Sequence, residues 1–457
     1  MSPNTIIEAL EERPATSCGV SNHVINRIND EDEAVHRWYR FVLAFPPHLV
    51  TKYLSQFGAT RKSLVLDPFC GTGTTNIECL KLGISSYGIE ANPIVWFASR
   101  VKTTWSVDIE KLAAANERIC SLLKREFEVR GLGEARPASS SRSNSTPNGL
   151  FKLTPEQEDL IPEGFISPRP LQKVLLVKKH VERQRDQQIR DLHRLALAAI
   201  LVEKVGNLGF GPEVYRTKAK PDVDVLQAFR VKLADMLSDL QLLHTKDKWK
   251  AAKCNILFGD ARQLRVLEVK PSLVITSPPY PNEKDYTRST RLEAVLLGFL
   301  RDKKDLRLIK EGLVRSNTRT VFKKTSNSLD DYPILSVRRV AEEIERKRVE
   351  LGKTSGFEKL YHQVVLLYFW DMRQHLLNLF RKLRPRASLA YVVGDQMSFF
   401  RVHIRTGRII AELAESVGYT VTGIDLWRER RSTTTGLNLR EEVVLLEKGT
   451  AGGADIA

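Results

Sequence analysis

Short apolar runs that close on an acid or a polar turn recur along this chain. Between them lie longer stretches whose apolar residues fall at helical spacing. Residues 63–66 form the first such run. It closes on Asp67, and a turn holding Gly71 and Gly73 opens a helical pattern over 76–82. Residues 86–89 form the second run and lead into Glu90, then Asn92 and Pro93. Further strands are expected at 254–258, 272–275, 388–393, 419–426 and 441–447. Helical patterns cover 108–130, 223–243, 337–351, 358–383 and 407–417, with one or two more helices in 168–207. This alternation predicts an α/β fold with a doubly wound, mostly parallel sheet. Ahead of it, Trp38, Tyr39, Phe41, Phe45, Tyr53 and Phe57 recur at near-helical spacing, broken by Pro46 and Pro47. Core packing is the favoured reading of that cluster; the alternative is that Pro47 and His48 start a helix lining a ligand pocket.

Two blocks interrupt the alternation. The expected organisation is an arm over 1–32, core over 33–107, and a first insertion over 108–252. Core resumes over 253–286, a second insertion spans 287–357, core returns over 358–448, and a tail follows over 449–457. Within the first block, 131–149 is a low-complexity stretch that includes Ser139, Ser140, Ser141, Ser143 and Ser145. Both blocks are mainly helical and basic. Lys173, Lys178, Lys179, Arg183, Arg185, Arg190 and Arg194 mark the first. Arg301, Lys303, Lys304, Arg307, Lys310, Arg315, Arg319, Lys323 and Lys324 mark the second. Each run is either a solvated helix face or a nucleic-acid contact. Over the whole chain 71 Lys+Arg stand against 55 Asp+Glu, a net charge of +16, which points to a polyanionic partner. Cys18, Cys70, Cys79, Cys120 and Cys254 are scattered and contain no Cys-x-x-Cys pair. That spacing argues for a reducing compartment and against a disulfide framework or a structural zinc site. No apolar run reaches membrane-spanning length, so a cytoplasmic, nucleoid-associated protein is expected.

The chemistry gathers at the ends of the apolar runs, where open α/β sheets place their sites. Glycines at 71 and 73 let backbone approach a ligand, and the following helix presents its N–H groups there. Glu90 at the tip of the second run, about twenty residues past the glycines, is where a carboxylate would hold ribose hydroxyls. Cys70 in the turn reads as a small packing residue. At the end of the 272–275 run stands Ser277-Pro278-Pro279-Tyr280. Consecutive prolines stiffen the loop and leave its carbonyls without competing local N–H donors. An acceptor hydroxyl, a fixed carbonyl and an aromatic ring together suit a flat base with an exocyclic amine. Accepting that amine's N–H bonds favours a tetrahedral, reactive nitrogen, while Tyr280 stacks on the base.

With these two stretches the chain resembles the amino-group DNA methyltransferases, which use S-adenosylmethionine. Asp67-Pro68-Phe69-Cys70-Gly71-Thr72-Gly73-Thr74-Thr75 looks like their first motif and Thr276-Ser277-Pro278-Pro279-Tyr280 like their catalytic motif. The serine form is similar to the cytosine-N4 branch; adenine-N6 enzymes more often carry Asp or Asn there. The resemblance covers 35–99, 255–286 and 358–448 and implies a Rossmann-like methyltransferase sheet. It further implies that Asp67, Phe69, Cys70, Gly71, Thr72, Gly73 and Thr74 hold the methionine part of the cofactor. Glu90 would take the ribose and Asp260 the adenine amino group. Ser277, Pro278, Pro279 and Tyr280 would act on a base flipped from double-stranded DNA, with Asp395 lining the pocket. Neither a metal nor a covalent enzyme intermediate is implied. A cognate restriction endonuclease is a possible partner, and an insertion would read the bases.

The alternatives are an adenine-N6 enzyme, an RNA guanine-N2 methyltransferase, and a basic binding module without chemistry. A tRNA enzyme would carry an RNA-binding domain for which the stretch before Ser63 is short. A module without chemistry leaves the paired motifs unexplained. Cytosine-C5 chemistry needs a Pro-Cys nucleophile, and the chain has no such dipeptide. Pro221-Asp222 with Glu268-Val269-Lys270 is a faint nuclease-like set, taken as chance.

Overall fold

The structure, a computed structural model, describes residues 33–41, 45–133, 151–211, 213–321, 333–431 and 436–450. The low-complexity serines, Lys323, Lys324, and the arm over 1–32 lie outside the described residues. The strands, in chain order, are β1 (Leu64–Asp67), β2 (Ser85–Glu90), β3 (Leu208–Phe210), β4 (Val214–Arg216) and β5 (Cys254–Phe258). They continue with β6 (Leu273–Thr276), β7 (Ser388–Gly394), β8 (Tyr419–Arg431) and β9 (Asn438–Lys448). All but β3 and β4 join one seven-stranded sheet in the order β5-β2-β1-β6-β7-β9-β8. Five neighbouring strands are parallel, and β9 runs antiparallel between β7 and β8. The chain winds outward from β1 through β2 to β5, then returns to lay β6 on the other side of β1. The C-terminal ends of β1 and β6 therefore border the crevice where the strand order reverses. The doubly wound expectation holds.

The period-two alternation of the strands sorts their side chains onto two faces. Val65, Ile275, Ala390, Val392, Val443 and Leu445 pack with Leu49, Val50, Tyr53 and Leu54 of the helix Pro47–Gln56. Leu66, Val274, Leu389, Tyr391, Val393, Val444 and Leu446 face the helices Leu335–Glu350, Tyr361–Lys382 and Thr406–Ser416. With both faces covered, β6 is buried along its whole length, which explains its unbroken apolar run. Two sequence expectations extend beyond their bounds. Strands β8 and β9 run several residues past the expected ends, as a polar hairpin whose ladder does not depend on apolar alternation.

The first insertion is an interruption in topology but not in packing. Its helices Ile109–Val129, Pro168–Val181, Gln187–Ile200 and Val225–His244 share one apolar cluster with Pro93–Lys102, the helix after β2. The pair β3–β4 forms a separate small sheet. This packing corrects part of the basic-surface reading. Lys173 is buried, donating to Asp222 Oδ1 at 2.6 Å and the Val223 carbonyl at 2.9 Å. Asp222 also accepts from Arg169 Nε at 2.8 Å, so its carboxylate serves the fold, and the nuclease-like set loses its acid. Lys178 is half-buried, and the Lys179 ammonium sits 5.0 Å from the Phe151 ring centroid.

The aromatic cluster ahead of β1 is divided. Trp38 and Tyr39 are buried in the apolar cluster of the first insertion, whereas Pro47–Gln56 covers the opposite face of the sheet. Asp239 ties the first piece down. It is buried, accepts from the Val35 amide at 3.0 Å and from Trp38 Nε1 at 2.8 Å, and pairs with Arg37. Among the described residues no helix is long and apolar enough to cross a membrane. Replacing Asp239 by Ala leaves buried donors without an acceptor, and a loss of about 3 kcal/mol is expected in urea unfolding. A loss below about 0.5 kcal/mol, the range of an unremarkable surface change, would contradict this anchoring role.

Candidate active site

Strand β1 delivers Asp67 to the crevice and β6 delivers Thr276 beside it. Thr276 Oγ1 donates to Asp67 Oδ1 at 2.6 Å, and the Phe69 amide donates to the same oxygen at 3.1 Å. The other oxygen, Oδ2, is buried and has no partner among the described residues. Burial pushes the Asp67 pKa up to about 6. A second tie crosses the same boundary: Thr75 Oγ1 donates to the Ile275 carbonyl at 3.1 Å.

The turn after β1 needs both its glycines, since φ is +51° at Gly71 and +86° at Gly73. A Cβ on Gly71 would have nothing within 4 Å, so this side of the turn opens on free space. Glu90 braces the turn. Its Oε2 accepts from the Gly71 amide at 3.1 Å and its Oε1 from the Asn92 amide at 2.8 Å. Burial raises its pKa to about 7. Cys70 donates its amide N–H to the Ile89 carbonyl at 3.1 Å, and burial pushes its thiol well above the ordinary range. A Cβ on Gly88 would lie 2.9 Å from that sulfur, so the thiol is a packing group filling the space of a missing side chain. Thr72 and Thr74 are also buried.

Asp260 follows β5 at the same edge, but its carboxylate is engaged. Arg262 grips it through Nε, 3.0 Å from both oxygens, and through Nη2, 2.7 Å from Oδ2. Arg262 Nη1 also reaches the buried Asp371 at 3.3 Å, and Asp371 accepts from the Arg315 amide and Nε at 3.0 Å each. A ligand amino group at Asp260 would therefore be one more donor on a carboxylate already held by a guanidinium. A polar cleft of about 460 Å³ lies beside this network, lined in part by Arg262, Arg307, Lys310 and Glu311.

His375 lies within an apolar-faced helix and carries no local signal of a role at the site. Its Nδ1 donates to the Ala261 carbonyl at 2.7 Å, leaving Nε2 to accept from the Tyr391 hydroxyl at 2.7 Å. Burial lowers its pKa to about 4, so the ring is neutral, and it lies 4.7 Å from the Phe69 ring. One side chain thus packs the turn after β1 and fixes the loop after β5.

The Ser277–Tyr280 loop leaves β6 toward the crevice. Ser277 Oγ and the Tyr280 hydroxyl are 3.4 Å apart. Two tyrosines that sequence reasoning missed hold its backbone. The Tyr280 amide donates to the Tyr286 hydroxyl at 3.1 Å, and Tyr368 donates its hydroxyl to the Pro279 carbonyl at 2.8 Å. Neither proline has an N–H, and among the described residues nothing donates to the Pro278 carbonyl. β7 ends in glycine beside the Tyr280 ring: a Cβ on Gly394 would lie 3.4 Å from the ring and 3.2 Å from Glu441 Cγ. Burial raises the Tyr280 pKa, and that of Tyr286 to about 12, so both keep their protons. Asp395, at the tip of β7, is buried and accepts from His403 Nε2 at 2.8 Å.

A sequence profile described as DNA methylase, of the N6/N4 type, matches residues 23–95, the span that carries the turn and Glu90. The Type II methyltransferase M.BsoBI of Geobacillus stearothermophilus is 25% identical, the match covering 92% of this chain and 86% of that protein. The chain is thus similar to the amino-group DNA methyltransferases. The Type II methyltransferase M.AvaI of a Nostoc strain is 23% identical over 89% of this chain and 83% of its own. Among solved structures, TrmN of Thermus thermophilus matches at a TM-score of 0.31 with 10% identity, over 91% of this chain and 52% of that one. A likeness so distant carries no weight here. The chain is a nucleic-acid methyltransferase whose cofactor is S-adenosylmethionine. The crevice fits that group on its own terms. It offers a buried carboxylate oxygen without a donor at Asp67, open space at Gly71, and at half-buried Glu90 a carboxylate with lone pairs beyond those the turn uses.

Asp67 and Glu90 hold protons more tightly folded than unfolded, so their contribution to stability is full at low pH. It is lost as pH rises through their folded pKa values of about 6 and about 7. Buried neutral histidines act in the opposite sense, so the test is a difference between proteins. The stability of the ligand-free wild type minus that of Glu90→Gln should fall between about pH 4.5 and about pH 7.5 in thermal unfolding. A difference that rises across this window would contradict the placement of Glu90.

Proposed function

We propose that this chain methylates the exocyclic N4 of cytosine at a specific site in double-stranded DNA. The observation that carries this reading is the loop at the tip of β6. There a serine hydroxyl and an undonated proline carbonyl stand together, beside the turn that fits the cofactor. S-adenosylmethionine, when bound, supplies an electrophilic methyl group on its sulfonium for direct transfer. Asp67 Oδ2 accepts from the cofactor's ammonium, and the backbone from Phe69 to Thr74 encloses its methionine part. The lone pairs of Glu90 not used by the turn accept from the ribose hydroxyls. Asp260, shared with Arg262, takes the adenine amino group.

On the other side of the crevice, Ser277 Oγ and the Pro278 carbonyl accept the N–H bonds of the target amine. That draws its lone pair out of conjugation and toward the methyl group. Tyr280 stacks on the flipped base, and Tyr286 and Tyr368 keep the loop at a fixed height. Cys70 packs in the turn with its thiol raised by burial, and the reading gives it no nucleophilic role. The Type II names of both relatives support DNA as substrate and a specific site, and a companion restriction endonuclease belongs to the same reading.

The test is the methylated nucleoside. DNA and RNA from expressing cells, digested and separated by mass spectrometry, should yield N4-methylcytosine in DNA. Ser277→Ala should lower its formation about 100-fold or more while cofactor binding persists. Only N6-methyladenine, or methylguanosine in RNA, would contradict the reading.

A further inference from the structure

Beyond the end of β7 the sheet continues as two strands. β7 pairs with β9 as far as Gly394 opposite Glu441. β8 and β9 stay paired further, through Arg428 with Glu441, Glu429 with Arg440, and Arg430 with Leu439. Both β7 and β8 run antiparallel to β9, so this overhang rises over the edge that carries the Ser277–Tyr280 loop. It brings two guanidinium groups there for one carboxylate. Arg428 Nε donates to Glu441 Oε2 at 2.6 Å, and Arg430 Nε lies 3.3 Å from Glu441 Oε1. Glu441 is buried against the space at Gly394 that Tyr280 also borders. Arg430 Nη2 reaches the Asp395 carbonyl at 3.5 Å, and its side chain is 44% exposed.

Lys284 follows four residues after Tyr280, on the segment that leads away from the same loop. Its backbone is held firmly. Asn317 Nδ2 donates to the Lys284 carbonyl at 2.9 Å, and the neighbouring Glu283 accepts from the Thr318 amide at 2.9 Å. The Lys284 ammonium, by contrast, is half-buried and makes no hydrogen bond or ion pair among the described residues. After burial, the strongest influence on it is the like charge of Arg430; Glu213 and Glu441 oppose it more weakly. Glu441 is already shared by two arginines, and Glu213 accepts from the Asp285 amide at 3.2 Å and lies 3.9 Å from Arg288. Two cations that share one half-buried rim beside Tyr280 repel, and an anion bound there relieves that cost.

We propose that Lys284 and Arg430 form a phosphate clamp on the rim of the crevice, gripping the backbone of the nucleotide whose base enters it. A base cannot reach Ser277 and Pro278 without bringing its own phosphodiesters to this rim, and a positioning contact to the backbone holds its register without reading sequence. The clamp rests on DNA being the substrate. It also differs from the basic runs of the insertions, since its cations lie beside the catalytic loop itself.

Binding to a duplex fragment that the wild type methylates, measured over a range of salt concentrations, tests it. Lys284→Met and Arg430→Gln should each make the slope of log affinity against log salt shallower by about one, while Lys284→Arg keeps the slope. Binding of S-adenosylmethionine alone should be unchanged in all of them, which also shows that the variants fold. Slopes unchanged in both neutral variants would overturn the clamp. So would a loss confined to cofactor binding, which would assign the anion to the cofactor's own carboxylate. A wild type that methylates RNA and no DNA fragment would instead overturn the DNA reading on which the clamp stands.

Discussion

The hydrogen bond from Thr276 to Asp67 is the constraint on which the site depends. It is short, wholly buried, and joins the last residue of β6 to the last residue of β1. These strands are neighbours in the sheet but lie far apart in the chain, with the whole first insertion between them. One bears the turn to which the proposed reading assigns the cofactor, and the other the loop to which it assigns the target amine. A methyl transfer needs donor and acceptor aligned to within a fraction of an ångström, and a side-chain tie between the strand tips supplies that alignment. The bond also consumes one oxygen of Asp67 and leaves the other bare, so the same contact that sets the spacing prepares the carboxylate for a cationic ligand.

Around that tie, the acids at the strand tips hold the protein's own backbone and side chains in place. Glu90 spends an oxygen on each of two backbone amides, which shapes the glycine turn before anything binds. Asp260 is held by Arg262, and through Asp371 that network reaches Arg315, next to the segment that clamps Glu283 and Lys284. The loop after β5 and the flank of the catalytic loop are therefore braced by one chain of buried charge. Preorganised acceptors of this kind stabilise a reacting nitrogen without reorganising during the reaction.

Much of the candidate site was legible because the residues proposed for its chemistry lie in contiguous stretches. Asp67 through Thr74, Glu90 and Ser277 through Tyr280 each follow an apolar run, and a parallel sheet places every such tip on one edge. The strands of the main sheet and most long helices emerged from periodicity to within about five residues, whereas β3, β4 and the helices Pro93–Lys102 and Lys303–Gly312 were not anticipated. What stayed hidden depends on distant packing. His375 lies within an apolar-faced helix, and only the fold shows it touching both the Phe69 ring and the Ala261 carbonyl. Tyr286 and Tyr368 are 82 residues apart and carry no local signal for a shared loop. Lys173 read as surface charge because a charged residue on a basic helix normally is; its partner, Asp222, lies in another segment. Charge pairing across the sequence, more than secondary structure, limited the reading.

Thr276→Val keeps the shape of the strand tip and removes only the donor to Asp67, so it probes the joint between the two halves of the site. Calorimetry of S-adenosylmethionine binding, paired with single-turnover methyl transfer, is the direct measurement. The expected result is a loss of about tenfold or more in both affinity and transfer rate, the worth of a buried hydrogen bond to a charged group. If either quantity were unchanged, the cofactor turn and the catalytic loop would not be coupled through this bond, and the central claim would fail.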